Sequence, residues 1–191
     1  MIKNCKSKEE FVQALTPDIK PKDKKEYTTA QMKDVLTLAD NYAKKYSTCK
    51  KTAVGCYLVA ETEWRTVISK GCNSNPEESC KKLGCLREEK FGNNSKEHRN
   101  TCRCHGRHAE QDALLRAFVS TRAAMLRGST AFVTRYPCED CAKALLDAGV
   151  KRIVYGREFP VSEETTWLCE QYGAELTHIA DWNCDPKDTN S

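Results

Sequence analysis

From residue 109 to residue 180 the sequence alternates helix-length amphipathic segments with short β-rich apolar runs, and no other feature constrains the fold as tightly. The spacing predicts a helix over 109–120, a strand at TAFVTRY (130–136), a helix over 138–148, a strand at KRIVYG (151–156), a helix around 163–172 and a last strand at AELTHIA (174–180). Strands separated by helices of that length imply right-handed crossovers and a parallel run of sheet. Upstream, AVGCYLVA (53–60) and WRTVISKGC (64–72) are joined by a short polar turn, which reads as an antiparallel hairpin. Before them, Thr29 is a candidate N-cap for a helix in which Met32, Val35, Leu36, Ala39, Tyr42, Ala43 and Tyr46 recur at helical spacing. A hairpin followed by parallel units predicts an α/β fold, a three-layer α/β/α sandwich around a mixed five-stranded sheet.

Two stretches break this regularity. Residues 1–28 hold one short helical pattern around 9–15 and then a lysine- and proline-rich run poor in apolar side chains, which reads as an extension and linker. Residues 73–107 show little periodicity but concentrate Cys, His, Asn, Glu and Lys, and a loop of that length is usually functional or held by a ligand. With 191 residues there is room for one full domain. The expected organisation is an extension at 1–28, a main domain at 29–182 carrying a Cys/His-rich insertion at 73–107, and a tail at 183–191.

The N-terminal run MIKNCKSKEEFVQAL has lysines but neither a continuous apolar core nor a small-residue cleavage site, so no secretory signal is expected and the protein is placed in the cytoplasm. No stretch is long or apolar enough to predict a membrane span. In that setting twelve cysteines, several beside histidines, point to metal ligation in preference to a disulfide scaffold. The formal net charge of +4 is spread along the chain without an Arg-rich or aromatic-interleaved patch. A small anionic substrate therefore fits the charge at least as well as a nucleic acid, and no nucleic-acid partner is expected.

The chemistry concentrates at two expected helix starts. His108-Ala109-Glu110 opens one, and Pro137-Cys138-Glu139-Asp140-Cys141 opens the next. Cys138 and Cys141 are three residues apart, so on a first helical turn their sulfurs lie on one side and can share an ion. The positive end of the helix dipole favours their thiolates. With His108 as a third ligand, zinc keeps an open fourth position for water, whose pKa falls to about 7 in such sites. Glu110, two residues from the ligand, is placed to accept a proton from that water and pass it on. Alone, the C-x-x-C pair reads equally as a redox or purely structural motif.

H-x-E followed by P-C-x-x-C, in this order and each at a helix start, resembles the signature of the zinc-dependent cytidine deaminase superfamily. Three stretches are similar to its dCMP deaminases: TCKKTAVGCYLV with VISKGCNSNP, a strand pair ending in a G-x-N-x-x-P turn; Cys80, Gly84-Cys85-Leu86 and Cys102 before the HAE triplet; and KRIVYG after PCEDCAKALLDAGV. The resemblance runs over about residues 29–180. It implies zinc-dependent hydrolytic deamination of a cytosine nucleotide, dCMP to dUMP and ammonia, in pyrimidine deoxynucleotide metabolism. Glu110 would carry a proton from the attacking water to ring nitrogen 3, carbon 4 would be attacked, and ammonia would leave. Asn73 would hold the sugar, and the Ala109 backbone would anchor the base. Family members usually form homo-oligomers, which the resemblance extends to this chain.

The insertion is closest to that of bacteriophage-type dCMP deaminases, where the segment matching KEHR belongs to a second zinc site. By position that site is Cys49, Cys80, His98 and Cys102, with Cys85, Cys104 and His105 as nearby alternatives. Thiolates and an imidazole from separate segments would tie down a loop too polar to fold on its own core. Asp112 stands where the family usually has Asn, Val119 where regulated phage enzymes carry Arg, and Phe159 replaces a usual Tyr. Two rivals remain: a deaminase of a modified pyrimidine nucleotide or of polynucleotide cytosine or adenine, and an inactive zinc-stabilised nucleotide-binding protein. His178 is assigned to structure or surface, Cys5, Cys56, Cys169 and Cys184 to no metal, and Trp64, Trp167 and Trp182 to packing.

Overall fold

In the computed structural model the described residues are 26–49, 52–74, 85, 106–158 and 163–182. The first helix, α1 (Thr29–Tyr46), starts one residue earlier than the sequence suggests. Thr28, not Thr29, is its N-cap, because the Thr28 hydroxyl accepts from the Gln31 amide while the Gln31 side chain accepts from the Thr28 amide. Its buried stripe is Leu36, Ala39, Asp40 and Ala43. The helix ends at Ser47, whose amide donates to the Ala43 carbonyl.

The hairpin follows as β1 (Gly55–Val59) and β2 (Val67–Cys72), antiparallel, with a register shift between Leu58 and Val59. Then come α2 (Ala109–Val119), a short 3-10 turn at Ala123–Leu126 that the periodicity does not reveal, β3 (Thr130–Arg135), α3 (Glu139–Asp147), β4 (Arg152–Arg157), α4 (Glu163–Gln171) and β5 (Glu175–His178). The sheet order is β2-β1-β3-β4-β5. β1 runs antiparallel to both neighbours, whereas β3, β4 and β5 are parallel, so the sheet is mixed as expected.

Both faces are covered, which is why β1 is buried along its whole length although its side chains alternate. Tyr57, Val59, Phe132 and Val154 pack under α1 with Tyr27 and Trp182. Cys56, Leu58, Val133 and Ile153 pack on the opposite face with Ala113, Ala117, Leu145 and Leu146. Two glycines set the spacing of these layers. A β-carbon at Gly55 would stand 2.1 Å from the Ala39 carbonyl oxygen of α1, and one at Gly71 would stand 2.3 Å from the Ala113 amide nitrogen of α2. Only glycine lets both helix backbones press against the hairpin. Trp182 packs as expected and donates its indole N–H to Thr37, but Trp64 and Trp167 are 82% and 56% exposed and hold no core. No helix among the described residues is long and apolar enough to cross a membrane.

Candidate metal centre and catalytic carboxylate

The site forms where β2 and β3 finish. β3 ends at Arg135, the Tyr136 amide is held by the Arg157 carbonyl, and Pro137 leads into Cys138, the N-cap of α3. Thr165 of α4 donates its hydroxyl to the Pro137 carbonyl and so supports this turn from outside. His108 is likewise the N-cap of α2, with the Gln111 side chain accepting from its amide. Proline costs little just before a helix, where the first N–H groups have no partners inside the helix.

The two helix starts bring His108, Cys138 and Cys141 together. Their ligand atoms all lie within 4.8 Å of one another. His108 Nδ1 is 3.3 Å from Cys141 Sγ and 3.6 Å from Cys138 Sγ. Tetrahedral zinc with ordinary Zn–S and Zn–N bonds would separate S and N ligands by about 3.5 Å, so the trio fits this ion without rearrangement. Cys141 is buried, Cys138 half-buried and His108 exposed, which places the open side of the cradle towards solvent.

The two thiols are shifted in opposite directions. A hydrogen bond from Cys141 holds the Cys138 thiol down to about 4, against the opposing effect of burial. Cys141, which keeps the proton of that hydrogen bond and is itself buried, is pushed up. This pairing favours the thiolate at Cys138, and the positive ends of two helices act in the same sense.

Glu110 sits in the first turn of α2, 5% exposed, facing Cys141. Burial pushes its carboxyl above the usual carboxylate range, and its own backbone N–H and His108 pull in the other direction. A carboxyl in that position binds a proton more readily than one in water, as a proton carrier needs to. Ala109 is fully buried and is the first residue of α2, where backbone N–H groups have no partner inside the helix.

Asn73 lies at the end of β2, on the same side of the sheet, but its amide is already at work. Its Oδ1 accepts from the Val54 amide at 2.8 Å and from the Ser47 hydroxyl at 2.7 Å, and its Nδ2 donates to the Thr52 carbonyl at 2.8 Å. Asn73 therefore fastens the chain entering β1 to the end of α1, and any contact with a sugar would use its remaining N–H. Ser47 was not singled out by sequence, since a serine ending a helix carries no specific signal. Thr134, which accepts from the Gly55 amide at 3.0 Å, was not singled out either, since a threonine inside a strand is ordinary.

Of the second expected metal set, Cys80, His98 and Cys102 lie outside the described residues. Cys49 is placed two residues past the C-cap of α1, half-buried, with its amide donating to Ser47 Oγ at 3.2 Å. His178 stacks on Tyr155 at 4.7 Å and lies 2.9 Å from the Gly156 carbonyl through Nε2, a structural placement. Cys56 and Cys169 are buried thiols, both pushed up by burial.

The comparisons with known proteins agree with this geometry. The family model of the cytidine and deoxycytidylate deaminase zinc-binding region matches residues 29–157. The deoxycytidylate deaminase of Schizosaccharomyces pombe is 32% identical over 136 residues, covering 70% of this chain and 39% of that protein. The deoxycytidylate deaminase of Saccharomyces cerevisiae is 29% identical over 182 residues, covering 91% of this chain and 54% of that protein. The chain thus spans about half, or less, of the length of these two relatives. Among solved structures, dCMP deaminase from the cyanophage S-TIM5, in complex with dCMP and dUMP, superposes with a TM-score of 0.60 at 23% identity, over 80% of this chain and 99% of that one. That likeness shows the shared fold.

Proposed function

We propose, from the premise that this chain belongs to the cytidine and deoxycytidylate deaminase zinc-binding family, that it hydrolyses the exocyclic amine of a cytosine nucleotide, converting dCMP to dUMP and ammonia. The observation that carries the reading is the convergence of a His108-Cys138-Cys141 cradle with one buried carboxyl group, Glu110. When bound there, zinc supplies the acidification of water that hydrolytic deamination at neutral pH requires.

The rest belongs to the chain's own side chains. Glu110 takes a proton from the attacking water and delivers it to ring nitrogen 3, and later gives a proton to the departing amine. The Ala109 N–H holds the base, and Asn73 contributes its remaining N–H to the sugar. Tight packing of α2 on β2 at Gly71 fixes the backbone of the helix that carries Glu110. The choice of dCMP is supported by the relatives of that name and by the G-x-N-x-x-P turn. The catalytic unit is residues 29–182, with an extension at 1–28 and a tail at 183–191, acting in the cytoplasm as a homo-oligomer.

Ammonia release from dCMP, CMP, deoxycytidine, cytidine and dCTP tests this. dCMP is expected to be turned over with the highest kcat/KM. Equal efficiency on deoxycytidine would end the dCMP reading, and no release from any of the five would end the deaminase reading.

The same reading carries a second, structural zinc at Cys49, Cys80, His98 and Cys102. It is supported by the position of Cys49 just beyond α1, where a bond to the insertion would anchor that loop to the domain. Metal analysis of protein purified without chelator is expected to give two zinc ions per chain, falling to one on His98→Ala/Cys102→Ala. One zinc in the unaltered protein, all of it lost on His108→Ala, would remove this second site.

A further inference from the structure

We propose that Asp112 is the positioning residue for the metal-binding histidine: through Arg107 it clamps the segment that delivers His108 onto the end of β2. The inference rests on the reading of His108, Cys138 and Cys141 as the metal ligands.

Asp112 is 1% exposed, and its carboxylate is shared among three separate pieces of chain. Oδ1 accepts from Arg107 Nη1 at 2.9 Å. Oδ2 accepts from Arg116 Nε at 2.9 Å and from the Cys72 amide at 3.3 Å. Helix α2 accounts for the Arg116 contact by its i, i+4 spacing, and that pair alone would be an ordinary helix-surface ion pair. Of the other two, Arg107 lies five residues earlier, just ahead of the helix, and Cys72 lies forty residues earlier, at the end of β2. β2 is an edge strand, and Asp112 closes its end by taking the outward-facing Cys72 N–H.

Just beyond that point Arg107 runs alongside as a one-residue antiparallel bridge to Ser74, with amide-to-carbonyl distances of 3.0 Å from Ser74 to Arg107 and 2.7 Å in the reverse direction. The Arg107 side chain then folds back onto the Asp112 carboxylate. Backbone and side chain of Arg107 are therefore fixed at once, one against Ser74 and the other against Asp112. His108 is the next residue, and Asn73 is the residue before Ser74. One buried carboxylate thus holds together the metal-ligand arm, the turn that carries Asn73 and the helix that carries Glu110.

A carboxylate is needed for this, because it offers enough acceptor positions for two guanidinium groups and a backbone N–H, whereas an amide offers a single oxygen. Supports of this kind, one step removed from the ligand, commonly change metal affinity by about 10- to 100-fold when removed. A residue that merely stabilised α2 would alter the melting temperature and leave the ligand geometry alone.

The test is zinc affinity, measured by competition with a chromophoric chelator, together with the visible d–d spectrum of the cobalt-substituted protein. Asp112→Ala is expected to weaken zinc binding by about 10- to 100-fold and to alter the cobalt band, with Asp112→Asn between it and the unaltered protein. Arg107→Gln should weaken binding similarly, and the double variant Arg107→Gln/Asp112→Ala by no more than the larger single effect. Arg116→Gln, which loses only the local pair, should keep zinc affinity within about twofold.

Unchanged affinity and an unchanged cobalt spectrum in Asp112→Asn and Arg107→Gln would overturn the proposal, as would an Arg116→Gln loss equal to that of Arg107→Gln. Arg107 is partly exposed, so its variant keeps the test open if Asp112→Ala fails to fold. Failure of the metal reading itself would show differently, as a zinc content per chain that His108→Ala and Cys141→Ala both leave equal to that of the unaltered protein.

Discussion

The parallel strands β3, β4 and β5 carry charged groups at both ends, and the two ends use them in opposite ways. Where these strands begin, a cavity of about 290 Å³ is lined by Glu26, Glu61, Thr130, Lys151, Arg152 and Glu175. There each charge meets a fixed partner: Arg152 bonds Glu175 at 2.7 Å and Glu26 at 3.1 Å, and Thr130 donates to Glu61. Where the strands finish, Glu110 is buried against Cys141, Cys138 and His108, groups that exchange protons or bind metal. A charge locked to its counter-charge has little left to offer a substrate, whereas a buried carboxyl among such neighbours stays ready to gain and lose a proton. The contrast supports the proposal that the reaction takes place where the strands finish and not in the cavity where they begin.

The sharpest way to break that contrast is Glu110→Gln. Glutamine keeps the shape, removes the proton carrier and leaves all three ligands in place, so zinc content and fold should be unchanged while kcat on dCMP falls at least roughly 100-fold. Turnover within a few-fold of normal in a zinc-replete Glu110→Gln protein would falsify the assignment of Glu110.

The site residues were legible in the sequence to the extent that their geometry is local. The C-x-x-C spacing places two sulfurs on one helical turn whatever surrounds it, and Glu110 is tied to His108 by being two residues away. The strand and helix alternation was legible because each element buries apolar side chains at its own period, and even the misplacement of the first cap by one residue came from two adjacent threonines. What could not be read depends on neighbours distant in sequence. Nothing in the order of residues says that Gly71 touches Ala113, that Ser47 holds Asn73, or that Asp112 reaches Cys72 as well as its helical neighbour Arg116. Trp64 and Trp167 were assigned to packing because the tryptophans are not clustered, yet apolar side chains are common on surfaces and these two are exposed.

The smallest expected effect comes from the other end of the strands, and it sharpens the comparison by its smallness. Arg152→Gln removes the cation between Glu26 and Glu175, which are 78% and 53% exposed and so remain solvated when their partner is gone. Pairs with such exposed partners contribute little, and the loss should be below about 1.5 kcal/mol, a fall of roughly 2–6 °C in Tm for a chain of this size. Because the cavity lies a strand's length from Glu110, kcat/KM on dCMP should stay within about twofold of the unaltered protein. Thermal melting and steady-state kinetics on one preparation read both quantities. A tenfold fall in kcat/KM with a small change in Tm would mean that the paired charges at the strand starts govern the reaction after all, and the division of labour between the two ends would have to be given up.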